Sequence, residues 1–145
     1  MIEIKTFTFE NYVLYNLALN IRRSVFVDEQ NVPPGLEVEN EDSATFYLLF
    51  QNNLSVATGR WRETEKGIKL ERFAVLPEYR NQNLGSILLT KVLVDLKLSG
   101  KTIYLHSQLK AVSFYERQGF GKMGEMFEEA GIWHYEMIFL GNKTS

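Results

Sequence analysis

An α/β domain with a mixed β-sheet flanked by helices is what this sequence predicts, as a single unit over residues 1–145. Runs that alternate apolar and polar residues are interleaved with runs of helical spacing, in the order β, α, β, β, β, α, β, α, β, β. Strand–helix–strand crossings and tight hairpins both occur, so neighbouring strands must pair in both senses. Hydrophobic residues make up 45% of the chain and aromatics 13%, enough for one core, and no repeat, linker or low-complexity run divides the chain.

The elements follow in order. Ile2–Phe9 alternates as a strand. From about Asn11 to Phe26, Leu14, Leu17, Ala18, Ile21 and Val25 share one helical face. Val32-Pro33-Pro34-Gly35 forces a turn, and the acidic stretch from Glu37 to Asp42 predicts a solvated loop. Ala44–Phe50 is apolar and β-prone, and Asn52-Asn53 turns the chain into a strand over Ser55–Arg62. Lys66-Gly67 is a second turn, before a strand over Ile68–Val75 that Pro77 stops. Leu84–Leu98 carries a wide apolar stripe (Leu84, Ile87, Leu88, Val92, Leu96) and ends at Gly100. Thr102–His106 reads as a strand and Ala111–Gln118 as a short helix ended by Gly119. Phe120–Met126 and Trp133–Leu140 read as strands flanking a turn near Gly131.

Composition removes several function classes. Sixteen Lys and Arg against eighteen Asp and Glu give a net charge of -2, which argues against a nucleic-acid partner held by phosphate contacts. No uncharged apolar run is long enough to span a membrane. Met1-Ile2-Glu3-Ile4-Lys5 alternates like a strand rather than a signal peptide, so the expected location is the cytoplasm. The chain has no cysteine, which removes disulfides, thiolate metal ligands and a cysteine acyl intermediate. With two histidines and no ligand-spaced cluster, no metal is expected.

The most informative stretch is Val75 to Leu89. It reads as a strand end, a Pro break, a polar turn with Arg80, and a helix start with Gly85 one turn in. Free backbone N–H groups, the positive end of a helix dipole and a cation then surround one small space, as a phosphate-bearing ligand requires. Gly85 has no Cβ to keep a ligand from the backbone, and Asn83 can cap the helix or take a left-handed conformation.

Arg80-Asn81-Gln82-Asn83-Leu84-Gly85 resembles the acyl-CoA-binding pattern Arg/Gln-x-x-Gly-x-Gly/Ala of the GNAT superfamily of N-acetyltransferases. Asn83 stands where the pattern has its first Gly, and Asn81 where many members carry another. A second stretch, Gln108 to Phe120, resembles the family's helix pattern Asn-x-x-Ala-x-x-Phe-Tyr-x-x-x-Gly-Phe. Gln108 replaces the Asn, while Ala111, Phe114, Tyr115, Gly119 and Phe120 match. Near the ends, Val25-Phe26-Val27-Asp28-Glu29-Gln30 and Glu129-Ala130-Gly131-Ile132-Trp133-His134-Tyr135-Glu136-Met137 are similar to the ElaA/YjcF-like branch, with Trp133 where the branch has Pro.

The resemblance implies a GNAT fold with a mostly antiparallel central sheet, and an enzyme that passes an acetyl group from acetyl-CoA directly to an amine in a ternary complex. It implies that Arg80, Asn81, Gln82, Asn83, Leu84, Gly85 and Ser86 hold the pyrophosphate, and that the backbone of Phe73, Ala74 and Val75 holds the pantetheine arm and thioester. Gln108 and Phe114 complete that cofactor set, and Tyr115 would protonate the departing thiolate. Glu29, Gln30 and His134 are the acceptor-site candidates. Glu71, His106 and His134 are candidate bases. Each has a structural alternative: Glu71 as the partner of Arg72 or Lys69, His106 as a hydrogen-bonded strand residue, Glu29 as the closure of the first helix. Family habit alone would add a homodimer. The alternative function, motivated by Asn81 and Asn83, is a catalytically weak acyl-CoA-binding or sensing protein of the same fold.

Overall fold

The computed structural model describes residues 1–32 and 39–141. The turn expected at Pro33-Pro34-Gly35 and the start of the acidic loop, Glu37 and Val38, lie outside them. The chain runs through β1 (Ile2–Phe7), α1 (Tyr12–Arg22), β2 (Ala44–Gln51), β3 (Leu54–Thr64), β4 (Gly67–Val75), α2 (Leu84–Leu96), β5 (Ile103–Gln108), α3 (Val112–Arg117), β6 (Phe120–Glu129) and β7 (Ile132–Phe139). The strands form one sheet in the order β1-β2-β3-β4-β5-β7-β6. Every adjacent pair is antiparallel except β4 and β5.

Both faces of the sheet are used. On one, Tyr47, Leu49, Leu70, Leu105 and Met137 pack with Leu84, Leu88, Leu89, Val92 and Leu96 of α2, and with Phe114 and Tyr115 of α3. On the other, Phe46, Leu48 and Ala74 pack with Ala18 and Ile21 of α1. β2 is covered on both sides, which explains why its sequence is a continuous apolar run instead of an alternation. The half of this second face away from α1 is polar. Register puts Arg60 and Arg62 of β3, Lys69 and Glu71 of β4, His106 and Gln108 of β5, and His134 and Glu136 of β7 on it.

Two irregularities shape the middle of the sheet. Register between β3 and β4 slips from Thr58↔Ala74 to Arg60↔Glu71, so Arg72 and Phe73 bulge opposite Gly59. Arg72 takes φ 59 there. A Cβ on Gly59 would come within 2.6 Å of the Phe73 ring, so the bulge depends on that glycine. The second irregularity is the parallel pairing of β4 and β5, which covers only Ile68↔Ile103, Lys69↔Tyr104 and Leu70↔Leu105. Beyond Leu70 and Leu105 the two strands part, and each continues with no strand partner on that side.

Three local expectations are corrected. The helix expected to reach Phe26 ends at Arg22 and continues as a π-helical turn over Arg23–Glu29, with Gln30 N–H donating to the Val25 carbonyl at 3.1 Å. The strand expected to end at His106 runs on to Gln108, and a 3-10 turn, Leu109–Ala111, precedes a shorter helix than expected, Val112–Arg117. Glu41 of the acidic loop is turned inward, where Tyr15, Arg22 and Arg60 donate to it.

Gly67 pins the start of β4 against the chain before β5. Its φ is +144, and an added Cβ would overlap the Thr102 carbonyl oxygen, which accepts from Ile68 N–H at 2.8 Å. Gly67→Ala is therefore expected to lower stability by about 2 kcal/mol or more, read from the urea midpoint, because backbone must move. An unchanged midpoint would show that this junction does not constrain the sheet.

Candidate active site

Where β4 and β5 part, a cavity of about 850 Å³ opens and is lined from both faces of the sheet. Phe73, Ala74 and Val75 from the end of β4 line it, with Arg80, Asn81 and Gly85 from the following turn and helix start. Gln108, Phe114 and Tyr115 line it from β5 and α3. Glu71 and His134 line it from the polar face, and Gln30 from the π-helical turn. The remaining residues of the expected set do not line it. Leu84 is buried under the sheet, Gln82 accepts from Gln51 at 3.1 Å, and Ser86 Oγ donates to Gln118 at 3.3 Å.

The turn ahead of α2 has the conformation its sequence allows. Asn81 and Asn83 take φ 64 and 67, the left-handed region in which Asn is the best-tolerated substitute for Gly. Asn83 makes no side-chain capping bond to α2. At Gly85 a Cβ would meet Phe114 at 3.6 Å and Val75 at 3.8 Å, ordinary contact distances. The protein itself would admit a side chain there, so the glycine leaves its space to the cavity.

Among the described residues, the Tyr115 hydroxyl makes no hydrogen bond. Its ring lies edge-on to Phe114 and Phe120, and burial pushes its phenol up to about 12, so it is a proton carrier at neutral pH. His134 is buried, and its Nδ1 lies 2.7 Å from the Ile132 carbonyl oxygen. A carbonyl only accepts, so Nδ1 carries the hydrogen and Nε2 of the neutral ring presents a lone pair.

The model of the acetyltransferase (GNAT) domain matches residues 14–140. The chain belongs to the GNAT acetyltransferase family. It is 36% identical over 126 residues to the uncharacterized N-acetyltransferase YjcF of Bacillus subtilis (strain 168), covering 83% of this chain and 89% of that one. Protein ElaA of Escherichia coli (strain K12) is 30% identical over 132 residues, 86% of this chain and 85% of that one. The crystal structure of E. coli ElaA superposes with a TM-score of 0.83 at 25% identity, covering 94% of this chain and 99% of that one. The fold is also that of the PaiA N-acetyltransferase of Thermoplasma acidophilum, solved in complex with coenzyme A, at a TM-score of 0.70, 16% identity, and coverage of 97% and 99%.

The GNAT cavity is already cross-linked by its own side chains. Arg80 donates from both Nη atoms to Glu29 at 2.8 and 2.9 Å and from Nε to the Val75 carbonyl at 2.9 Å. The Glu29 carboxyl is held below the usual carboxylate range, first by that hydrogen bond. Beside this pair, Gln108 Nε2 donates to Gln30 Oε1 at 2.7 Å. Glu29, the last residue of the π-helical turn, and Gln30, which caps it, thus tie the turn to both banks of the gap.

Glu71 sits in a charged network beneath the polar face. Arg62 donates to it at 2.9 Å, Arg60 Nη2 lies 3.0 Å away, and Lys69 Nζ 3.3 Å away. Arg60 is buried, bonds Glu41 at 2.6 Å, and keeps its Nε without a hydrogen-bond partner among the described residues. Burial alone would raise the Glu71 pKa. The Arg62 hydrogen bond, with Arg60 and Lys69 beside it, more than reverses that. A carboxylate committed to three cations is a poor proton acceptor, so the structural alternative describes Glu71 better than the base role does. Arg62, Lys69, Arg72 and Glu129 also line the cavity and were not among the residues expected to form it. Glu129 could have been found from its place in the branch motif, five residues before His134.

Glu71→Gln leaves the buried Arg60 with less countercharge, and a broken buried pair costs about 3–5 kcal/mol. The folded-state pKa of Glu71 lies below its ordinary value of 4.5, so the carboxylate's contribution is complete above that value and is lost as pH falls further. The stability difference between the wild type and Glu71→Gln is therefore expected to be largest at neutral pH and to shrink in acid, as denaturation at several pH values would read. A pH-independent difference would contradict the network.

Proposed function

We propose that this GNAT chain is an acetyl-CoA-dependent N-acetyltransferase that passes the acetyl group directly to an amine in a ternary complex. The observation that carries the reading is one cavity lined from the helix side of the sheet by Tyr115, with its unbonded hydroxyl, and from the polar face by His134, with its open Nε2. The residues fit the cofactor. The parted strands leave β4 without a β5 partner at Phe73 to Val75, the turn is left-handed at Asn81 and Asn83, and Gly85 leaves room at the start of α2. The coenzyme A held by a protein of the same fold supports the assignment.

When bound, acetyl-CoA supplies an activated acetyl thioester. The N–H groups at the start of α2, together with the Arg80 guanidinium, bind phosphate charge. Backbone groups at the end of β4 orient the arm along the gap, where a donor N–H can stabilise negative charge on a carbonyl oxygen. His134 accepts the proton of the acceptor amine at Nε2. Tyr115, protonated at neutral pH, would give its hydroxyl proton to the departing thiolate sulfur and regain one from water. Glu71 acts electrostatically, by fixing Arg62 and Lys69. The reading also takes the protein to work in the cytoplasm, and no described helix is long and apolar enough to cross a membrane.

A second reading, a weakly catalytic acyl-CoA-binding or sensing protein, is favoured by one observation: Glu29 occupies the guanidinium that the phosphates would need. Thiol release from acetyl-CoA across a panel of polyamines, amino acids and peptide N-termini separates the two. Turnover with an amine supports the enzyme. Saturable binding with no turnover supports the sensor.

Tyr115→Phe is expected to lower turnover by about 10²-fold or more while leaving CoA affinity near the wild-type value, measured by steady-state rates and calorimetry. Unchanged turnover would remove the acid role. Arg80→Ala is expected to weaken CoA. Glu29→Gln is expected to tighten it by up to about fivefold, the worth of an exposed ion pair of about 1 kcal/mol. Equal affinities in all three proteins would remove Arg80 from the phosphate site.

A further inference from the structure

Both histidines of the chain face one carboxylate, Glu129 at the end of β6. His106 Nδ1 lies 3.2 Å from Glu129 Oε1, and His134 Nε2 lies 3.9 Å from Glu129 Oε2. The two contacts differ in kind. The first is a hydrogen bond. The second is too long for one, and Nε2 of the neutral His134 ring has no hydrogen to donate, because Nδ1 carries it towards Ile132. Glu129 therefore gains little from neutral His134 and much from the protonated ring. The interaction appears when Nε2 takes a proton.

We propose that Glu129 is a positioning residue that sets the proton affinity of His134 Nε2, with His106 holding it in place. The inference rests on the assignment of His134 as the base. In the reaction, the proton leaves the acceptor nitrogen for the Nε2 lone pair, the imidazolium so formed is balanced by the Glu129 carboxylate, and the proton passes to water after the product departs. No electrons change hands beyond the N–H bonds broken and made.

The surroundings hold Glu129 ionised and still. Its carboxyl is held down at about 2, first by the His106 hydrogen bond. His106 is fixed on its far side, where Nε2 lies 3.3 Å from Glu136 of β7, and Glu136 accepts from Lys66 in the β3–β4 turn at 2.7 Å. From β4, Lys69 adds positive charge near Glu129 while pairing with Glu71. Tyr104 of β5 is the other titratable neighbour, tilted against His106 and under Lys66 Nζ. The Phe127 ring keeps the two imidazoles apart, stacked on His134 at 5.8 Å and edge-on to His106 at 4.9 Å. His106 and His134 therefore meet through Glu129 and not directly.

Two imidazoles make the test direct, since each can be followed by ¹⁵N NMR in the whole protein with neither acceptor nor cofactor present. His106→Gln assigns the spectrum. In the wild type, His134 is expected as the Nδ1–H tautomer. Glu129→Gln is expected to lower the proton affinity of His134 about tenfold, a shift of its titration midpoint by about one unit to lower pH, with the tautomer unchanged. Glu129→Asp should recover part of the shift. His106→Gln, which frees Glu129, should give a smaller shift of the same sign and serves as the second variant should Glu129→Gln misfold. An unmoved His134 titration in either folded variant overturns the proposal. A moved titration in a protein that transfers no acetyl group to any amine would keep the coupling and reject the acetyltransferase reading of the site instead.

Discussion

β4 and β5 hold parallel pairing for three residue pairs and then give it up, and the rest of the site depends on that loss. A sheet paired along its whole length would separate the α2–α3 side from the polar face. Once the strands part, one cavity is reached by side chains from both faces, and strand backbone is left without its usual partner. Gly67 fixes where pairing begins, against the Thr102 carbonyl. The Arg72–Phe73 bulge bends β4 as pairing ends, and Gly59 on β3 makes room for the Phe73 ring that the bulge turns. Two glycines distant from the chemistry thus set the shape of the gap.

Unpaired polar groups in a crevice are costly, and this molecule satisfies many of them internally. The Val75 carbonyl takes Arg80 Nε, Arg80 takes Glu29, and Gln108 takes Gln30. A ligand that uses these groups exchanges one set of bonds for another, so net affinity depends on the difference between phosphate and carboxylate at Arg80, not on the full strength of either. The partners, Glu29 and Gln30, lie next to each other where a π-helical turn ends.

Much of the fold was legible because local pattern and global packing agree. Strands and helices fell within a few residues of their expected bounds, since alternation and helical stripes record which face is buried. The left-handed turn was legible through Asn81 and Asn83, the residue type that tolerates positive φ best after Gly. What was not legible depends on contacts distant in sequence. Nothing local says that the helix after Arg22 widens into a π turn, or that Glu41, in a stretch that looks solvated, is claimed by Arg22 and Arg60. Arg72 reads as one more residue of an alternating strand, and only the register against Gly59 shows that it bulges. Glu71 looked like a base by its position, whereas its partners arrive from the neighbouring strand.

The sheet gives Tyr115 and His134 opposite surroundings within one cavity. Tyr115 sits among rings on the α3 side, where burial favours the neutral phenol and keeps its proton on. His134 lies across the sheet, its Nε2 3.9 Å from the Glu129 carboxylate that His106 helps hold ionised. The sheet supplies the division, apolar under α2 and α3 on one face and charged on the half of the other face away from α1, and the parted strands let both reach the same cavity. The phenol and the imidazole therefore owe their different surroundings to the fold itself rather than to the chemistry of either residue.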